Sequence, residues 1–391
     1  MLQIAAKINN TILVTINQFV MLDNPFVLYG YEGADSFCDR KKESQIIKDN
    51  LYNGSHICIM SPRRTGKTGL VHHVFQQIEK EHPEARCFYM DIYSTKDLSD
   101  FVKQFAKAVI GQLDTPLQKA ETFATQFFRG TRLTMSTDIF TGLPKWGISF
   151  QPQETEYTLD QLFTYLAQSK RECFVAVDEF QQILEYPEKN VEALLRTYIQ
   201  NMHNVHFIFL GSKLHMMSEM FNSPKHPFFK STAQLSLQPL DEDIYYDFAQ
   251  ERLARKQIQI SRSTFDWLYR QVDGVTWYIQ AVLNMLYRRS NVDADESVLL
   301  DCIHQVVLTQ ESGYRQQYDV LTQGQAKLLT AIAQEGCVKA LRASAFLDRH
   351  HLKSGSIDRV LTYLLENEYL YKTDNGYIIY DRFFSLWLRE Q

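Results

Sequence analysis

The sequence predicts an α/β protein: a parallel sheet lying between two layers of helices, followed by a helical segment and a small C-terminal domain. Three observations carry that expectation. Five short apolar runs, HICIM (56–60), RCFYMDI (86–92), CFVAVD (173–178), VHFIFLGS (205–212) and AQLSLQPL (233–240), have strand length but no polar–apolar alternation. Strands buried on both faces read that way. Helical stretches such as GLVHHVFQQIEKEH and NVEALLRTYIQNM lie between them, and such alternation builds a parallel sheet through right-handed crossovers. After Pro239 the strand pattern gives way to helix.

The chain has 391 residues, 45% of them hydrophobic and 22% charged, enough for two or three domains with proper cores. A net charge of −5 argues against a surface that coats nucleic acid generally, without excluding a local basic patch. Six cysteines are scattered with no C-x-x-C pair, which fits reduced thiols in a cytoplasmic protein and none of the usual zinc spacings. No apolar run has the length of a membrane span, and the opening MLQIAAKINNTILVTINQFV lacks the features of a signal peptide. Residues 1–23 are expected to be an extension, disordered or upstream of a true start at Met21.

Taken in order, residues 24–240 form the expected sheet domain. Its irregular insert, 115–160, contains FFRGTRLTM and LPKWGISFQP, read as a β-ribbon of no assignable role. Residues 241–320 are helical. DEDIYYDFAQERLARKQ opens with acidic residues and closes with basic ones, matching the helix dipole, and STFDWLYRQVDG and WYIQAVLNMLYRR continue the pattern. In 321–391, TQGQAKLLTAIAQEG is a helix ended by Gly336 and RASAFLDRHH a short second one. A third helix places Ile357, Val360, Leu361, Leu364 and Leu365 on one apolar face. YLYKTDNGYIIY then reads as two strands turning at Asn375-Gly376. Three helices and a hairpin make a winged helix.

The chemistry begins at SPRRTGKT. It fits G-x-x-x-x-G-K-[ST] except that Ser61 stands at the first glycine, and it has the required strand before it and helix after it. Pro62, Arg63, Arg64, Thr65, Gly66 and Gly69 complete the candidate nucleotide-binding loop with Ser61. Backbone N–H groups would curl round a phosphate at the helix N-terminus, with Lys67 on the β- and γ-phosphates and the Thr68 hydroxyl on Mg²⁺. Ser61 suffices if its φ is negative, because that position only starts the turn. CFVAVDEF ends a buried strand in two carboxylates: Asp178 would hold Mg²⁺ and Glu179 would act as general base. Acidic residues also end strands as helix caps, so this motif gains its weight from the loop upstream. Ser212, at the next strand tip, is a candidate γ-phosphate sensor or simply the N-cap of the following helix.

NPFVLYGYEGADSFCDRKKE, MSPRRTGKTGL, VDEFQQI, FLGSKLHMM and LSLQPL, in that order, together resemble the archaeal-type ATPase family within the STAND branch of the AAA+ ATPases, over roughly residues 24–390. The resemblance implies a P-loop NTPase core, a helical lid at 241–320 and the winged helix. It places Arg40 near the adenine side of a bound nucleotide. Family members often carry an arginine after HPFF, where this chain has Lys230, a cation without the bidentate fork. In the lid, DGVTW resembles a nucleotide-sensing Gly-x-Pro segment through Gly274, with Thr276 in place of proline; Gly274 also reads as a turn between helices.

The expected function is an Mg²⁺-dependent ATPase working as a nucleotide-controlled switch, with ATP and ADP as ligands and either an unknown protein client or self-association. Two rivals stand beside it: a nucleotide-binding scaffold that hardly hydrolyses, and a DNA-dependent ATPase using the winged helix. Residues 327–391 hold nine Lys and Arg against eight Asp and Glu, which favours protein docking over DNA for that domain.

Overall fold

A computed structural model describes residues 24–110, 131–137, 144–150 and 154–391; the expected extension at 1–23 and the rest of the insert lie outside them. The described chain divides into two compact units, one of residues 30–240 and one joining residues up to 29 with 241–391.

In the first unit α1 (Lys41–Tyr52), β1 (Ile57–Met60), α2 (Lys67–Glu81), β2 (Arg86–Asp91) and α3 (Leu98–Val109) precede an antiparallel ribbon of β3 (Thr131–Thr137) and β4 (Pro144–Phe150). The ribbon is the one expected in the insert. Then come α4 (Thr155–Ala167), β5 (Cys173–Asp178), α5 (Val191–Ile199), β6 (Val205–Gly211), α6 (Leu214–Asn222) and β7 (Ala233–Ser236). Strands β2-β5-β6-β1-β7 form one sheet in that order, with every pairing parallel. All five expected strands are present, though the last spans four residues rather than eight.

Burial explains the missing alternation. Ile57, Ile59, Phe174, Ala176, Ile208 and Leu210 pack with Leu70, Val71 and Val74 of α2. Their neighbours Cys58, Cys173, Val175, Val177, Phe207 and Phe209 point the other way, into a core with α3, α4 and α6. Side chains alternate across the sheet, and both faces are dry. The register sets Asp91 beside Asp178 at the ends of β2 and β5.

The second unit contains α7 (Glu242–Ala254), β8 (Gln259–Ile260), α8 (Arg262–Gln271), α9 (Thr276–Tyr287), β9 (Asp293–Ala294) and α10 (Glu296–Asp319), with β8 and β9 paired in parallel. The winged helix follows as α11 (Gln323–Glu335), α12 (Ser344–Arg349), α13 (Ile357–Glu366), β10 (Leu370–Thr373), β11 (Gly376–Ile379) and α14 (Arg382–Arg389). Asp241 caps α7 by accepting from the N–H groups of Asp243 and Ile244, and Thr322 with Gln325 forms a capping box on α11. Residues 24–29 sit in this unit because Phe26 is fully buried against Phe248 and Tyr287. Asn284 Nδ2 also donates to its carbonyl at 2.7 Å.

The hairpin turns one residue earlier than expected. Thr373 pairs with Gly376, so Asp374-Asn375 is the loop and the glycine opens β11 at φ +142°. A Cβ there would lie 2.6 Å from the Val338 backbone, because Val338 forms an isolated antiparallel bridge with Tyr377. The aromatic tail is α14, whose Phe383, Phe384, Trp387 and Leu388 are buried. Among the described residues, all six cysteines are free, and no helix is long and apolar enough to cross a membrane.

Candidate nucleotide site

The loop between β1 and α2 is braced from within. Ser61 is fully buried and is not among the residues with positive φ, meeting the one condition its position sets. Thr65 Oγ1 donates to the Pro62 carbonyl at 2.9 Å, so Ser61 Oγ is the donor in its 2.8 Å contact with Thr65 Oγ1. Lys67 Nζ donates to the carbonyls of Ser61 at 2.7 Å and Pro62 at 2.9 Å, crossing the loop it belongs to. Gly66 has φ +91° and a Cβ there would meet no protein atom within 4 Å. Among protein groups, then, it is the left-handed backbone that asks for glycine. Arg64 shares that conformation, at φ 69°. Gly69 opens onto Phe37, whose ring stacks on His73 at 4.2 Å.

Arg40 is almost completely buried. Its guanidinium donates to the Thr65 carbonyl at 3.4 Å and to Glu43 at 2.7 Å. The residue expected beside adenine thus ties the start of α1 to the back of the phosphate loop.

The carboxylates come to the loop from β5. Asp178 Oδ2 accepts the Thr68 hydroxyl at 2.7 Å and the Tyr89 hydroxyl, from β2, also at 2.7 Å. Its Oδ1 accepts the Glu179 N–H at 2.9 Å. Burial first, and then the Asp178 charge, raise the Tyr89 pKa well above the ordinary phenol value, so Tyr89 remains a proton donor. Burial likewise raises the Asp91 pKa, assisted by the charges of Asp178 and Glu179. Glu179, at φ 55°, turns its carboxylate back toward β6. Its Oε2 accepts from the Ser212 hydroxyl at 2.8 Å and from the Gln181 amide at 2.5 Å. Ser212 in turn receives Arg63 Nε at 3.3 Å. Since α6 has no side-chain cap, the Ser212 hydroxyl serves Glu179 and not the helix.

Hydrogen bonds therefore tie Thr68, Asp178, Glu179, Ser212 and Arg63 into one chain, although 110 residues separate Thr68 from Asp178. They tie Ser61, Pro62, Thr65 and Lys67 into a second that the loop backbone joins to it. Lys230 is exposed and at φ 49°, and it holds its ammonium 5.3 Å from the ring of its neighbour Phe229. Gly274 belongs to the second unit, between α8 and α9. A Cβ there would come within 2.4 Å of the Tyr269 ring, at φ +65°, so a turn packed on tyrosine is enough to require glycine.

Sequence reasoning missed Tyr89 and Gln181. Gln181 lies in the quoted VDEFQQI, two residues past Glu179, where a 3₁₀ turn over Phe180–Glu185 folds it back. Tyr89 had no local signal, because its role follows from β2 lying beside β5.

Residues 37–282 match the family described as an ATPase domain predominantly from Archaea, and residues 312–390 one described as a probable winged helix domain. Among solved structures, the chain is similar to the Walker-type ATPase PABY2304 of Pyrococcus abyssi, at 16% identity and a TM-score of 0.62, covering 93% of this chain and 99% of that one. It is also similar to the Aeropyrum pernix ORC2 protein, seen in ADPNP-ADP complexes, at 13% identity and a TM-score of 0.50, covering 94% and 98%. At such identities the likeness speaks for the fold, that of the P-loop ATPases. No curated protein sequence matches the chain. With more than half of its residues inside the first match, the chain belongs to the archaeal-type ATPase-domain family and ends in a winged helix.

Proposed function

We propose that the protein hydrolyses ATP to ADP and phosphate and uses the bound nucleotide as a switch. The observation that carries this reading is the meeting of Thr68, Asp178 and Glu179 at one end of the sheet, directly after a braced phosphate loop. Lys67 would exchange the loop carbonyls it now holds for phosphate oxygens, a replacement of neutral acceptors by charged ones. Glu179 would take a proton from the attacking water as the bond between the γ-phosphorus and the bridging oxygen breaks, the electron pair leaving with ADP. A hydroxyl and a carboxylate oxygen 2.7 Å apart form a donor set that suits a hard cation. Thr68 and Asp178 would hold Mg²⁺, which when bound supplies charge neutralisation to the phosphate oxygens.

The test pairs two variants. Lys67→Ala is expected to lose ATP binding, whereas Glu179→Gln is expected to keep binding and lose at least about 100-fold in turnover; calorimetric binding and phosphate release read the two. Wild-type turnover in both variants would overturn the assignment. The switch part of the reading is supported by the hold of the winged helix on the Gly274 turn: Arg382 of α14 pairs with Asp273 at 2.7 Å, and the Tyr278 hydroxyl donates to Asp381 at 3.2 Å. Size-exclusion profiles that are identical in ADP and in an ATP analogue would speak against a switch. The near balance of nine Lys and Arg against eight Asp and Glu in residues 327–391 supports a protein contact rather than DNA for the winged helix.

A further inference from the structure

The arginine pair of the loop splits into two environments. Arg64 takes up the left-handed backbone position, whereas Arg63 runs sideways to the tip of β6. There its Nε lies 3.3 Å from Ser212 Oγ and its guanidinium carbon 5.5 Å from the centre of the Tyr93 ring. The Ser212 hydroxyl donates to Glu179 Oε2 at 2.8 Å, on the same oxygen that the Gln181 amide reaches at 2.5 Å. A cation from the phosphate loop, a buried strand-tip hydroxyl and the candidate base thus form one chain across three elements.

We propose that Arg63 is the residue by which this site tells ATP from ADP, and that it passes the difference to Glu179 through Ser212. The inference rests on the ATPase reading above. If Glu179 activates the water that attacks the terminal phosphorus, a cation linked to Glu179 through a single hydroxyl lies beside the terminal phosphate as well. Lys67 would reach its phosphate oxygens from the side of the Ser61 and Pro62 carbonyls, whereas the cation bonded to the Ser212–Glu179 pair is Arg63. Lys230 holds its ammonium against the Phe229 ring. The planar fork of a guanidinium matches two phosphate oxygens at once, which an ammonium does not. Coupling follows from the order of the chain. Ser212 is a stronger donor to Glu179 while its oxygen accepts from a cation, since linked hydrogen bonds polarise one another. When Arg63 turns to a terminal phosphate, that hold weakens and Glu179 Oε2 becomes available to the water proton. Arg63 is on this account a phosphate ligand, and Ser212 and Gln181 are positioning residues for the base.

The test is equilibrium binding of ATPγS and of ADP, each with Mg²⁺, to the full-length wild type, Arg63→Gln and Arg63→Lys. Wild type is expected to prefer the triphosphate. Arg63→Gln should lose about tenfold in ATPγS affinity, the worth of one charge-assisted contact, with ADP affinity unchanged; Arg63→Lys should fall between. The unchanged ADP affinity also shows that the variant is folded. An unaltered ATPγS-to-ADP ratio in Arg63→Gln overturns the proposal while leaving the ATPase reading standing. A wild type that binds neither nucleotide overturns both.

Discussion

At the first position of the phosphate loop a serine does more than fill the place of a glycine. Its buried hydroxyl bonds Thr65, and its carbonyl receives Lys67. Ser61→Gly, which restores the common motif, is therefore expected to lower stability, by about 1–2 kcal/mol: one hydrogen bond is lost and the unfolded chain gains freedom. Gly66→Ala should cost about the same for a different reason, since only its left-handed φ resists the methyl group. Urea denaturation reads both, and a Ser61→Gly variant as stable as wild type would show that the hydroxyl contributes nothing. Most of the site was legible at this scale. Asp178, Glu179 and Ser212 sit where a strand ends, and Lys67 and Thr68 open the helix after the loop that follows β1; buried apolar runs mark such strand ends well. Tyr89 was not, because the neighbour of β5 is decided by crossovers that leave no mark in a local pattern. The inward bonds of Arg40 were also hidden, since a charged residue in a polar stretch reads as surface.

Among the elements, those with an apolar stripe and a clear stop were readable, and those that pack through mixed faces were not. The helix α11 shows a capping box at one end and Gly336, φ 78°, at the other. The 24-residue α10 falls in the expected helical stretch 241–320 but was not singled out: its buried Leu299, Cys302, Ile303, Val306 and Val307 share the helix with a long polar second half. The helix α14 lies beyond the expected hairpin, and its Asp381 cap, accepting from the N–H groups of Phe383 and Phe384, stands beside bulky aromatic residues that hide the start signal. That helix begins with Arg382, a buried side chain bonded to the Ile379 carbonyl at 3.1 Å, the Tyr371 hydroxyl at 3.0 Å and Asp273. The ion pair itself is expected to be weak, because the Asp273 side chain is 59% exposed. Asp273→Asn should then cost under about 1 kcal/mol, and Arg382→Ala about 2–3 kcal/mol through the acceptors it leaves unsatisfied. Equal costs in chemical denaturation would remove that difference and make the ion pair the main tie.

For the molecule as a whole, the dry two-sided sheet that made the fold legible also buries titratable groups that the pattern treats as spacers. His56 precedes β1, and its Nδ1 accepts the Phe207 N–H at 3.1 Å, a bond that a proton on Nδ1 would abolish. Burial lowers its pKa from 6.5 to about 4, with the nearby His206 and Arg196 acting in the same direction. Burial also lowers His72, against the opposing charge of Asp178, and His73, with help from Lys48. The folded state thus refuses protons that the unfolded chain accepts once the pH falls below about 6.5, so stability drops as pH falls and levels off below about 4. For His56 alone the loss is about 1 kcal/mol at pH 5.5, with a ceiling of about 3 kcal/mol near pH 4. Denaturant midpoints of the sheet unit should fall between pH 7 and pH 5, and His56→Asn, which keeps an acceptor for Phe207 but does not titrate, should flatten that slope. A slope unchanged by the substitution would mean that the proton goes elsewhere, with His72 and His73 the next groups to vary.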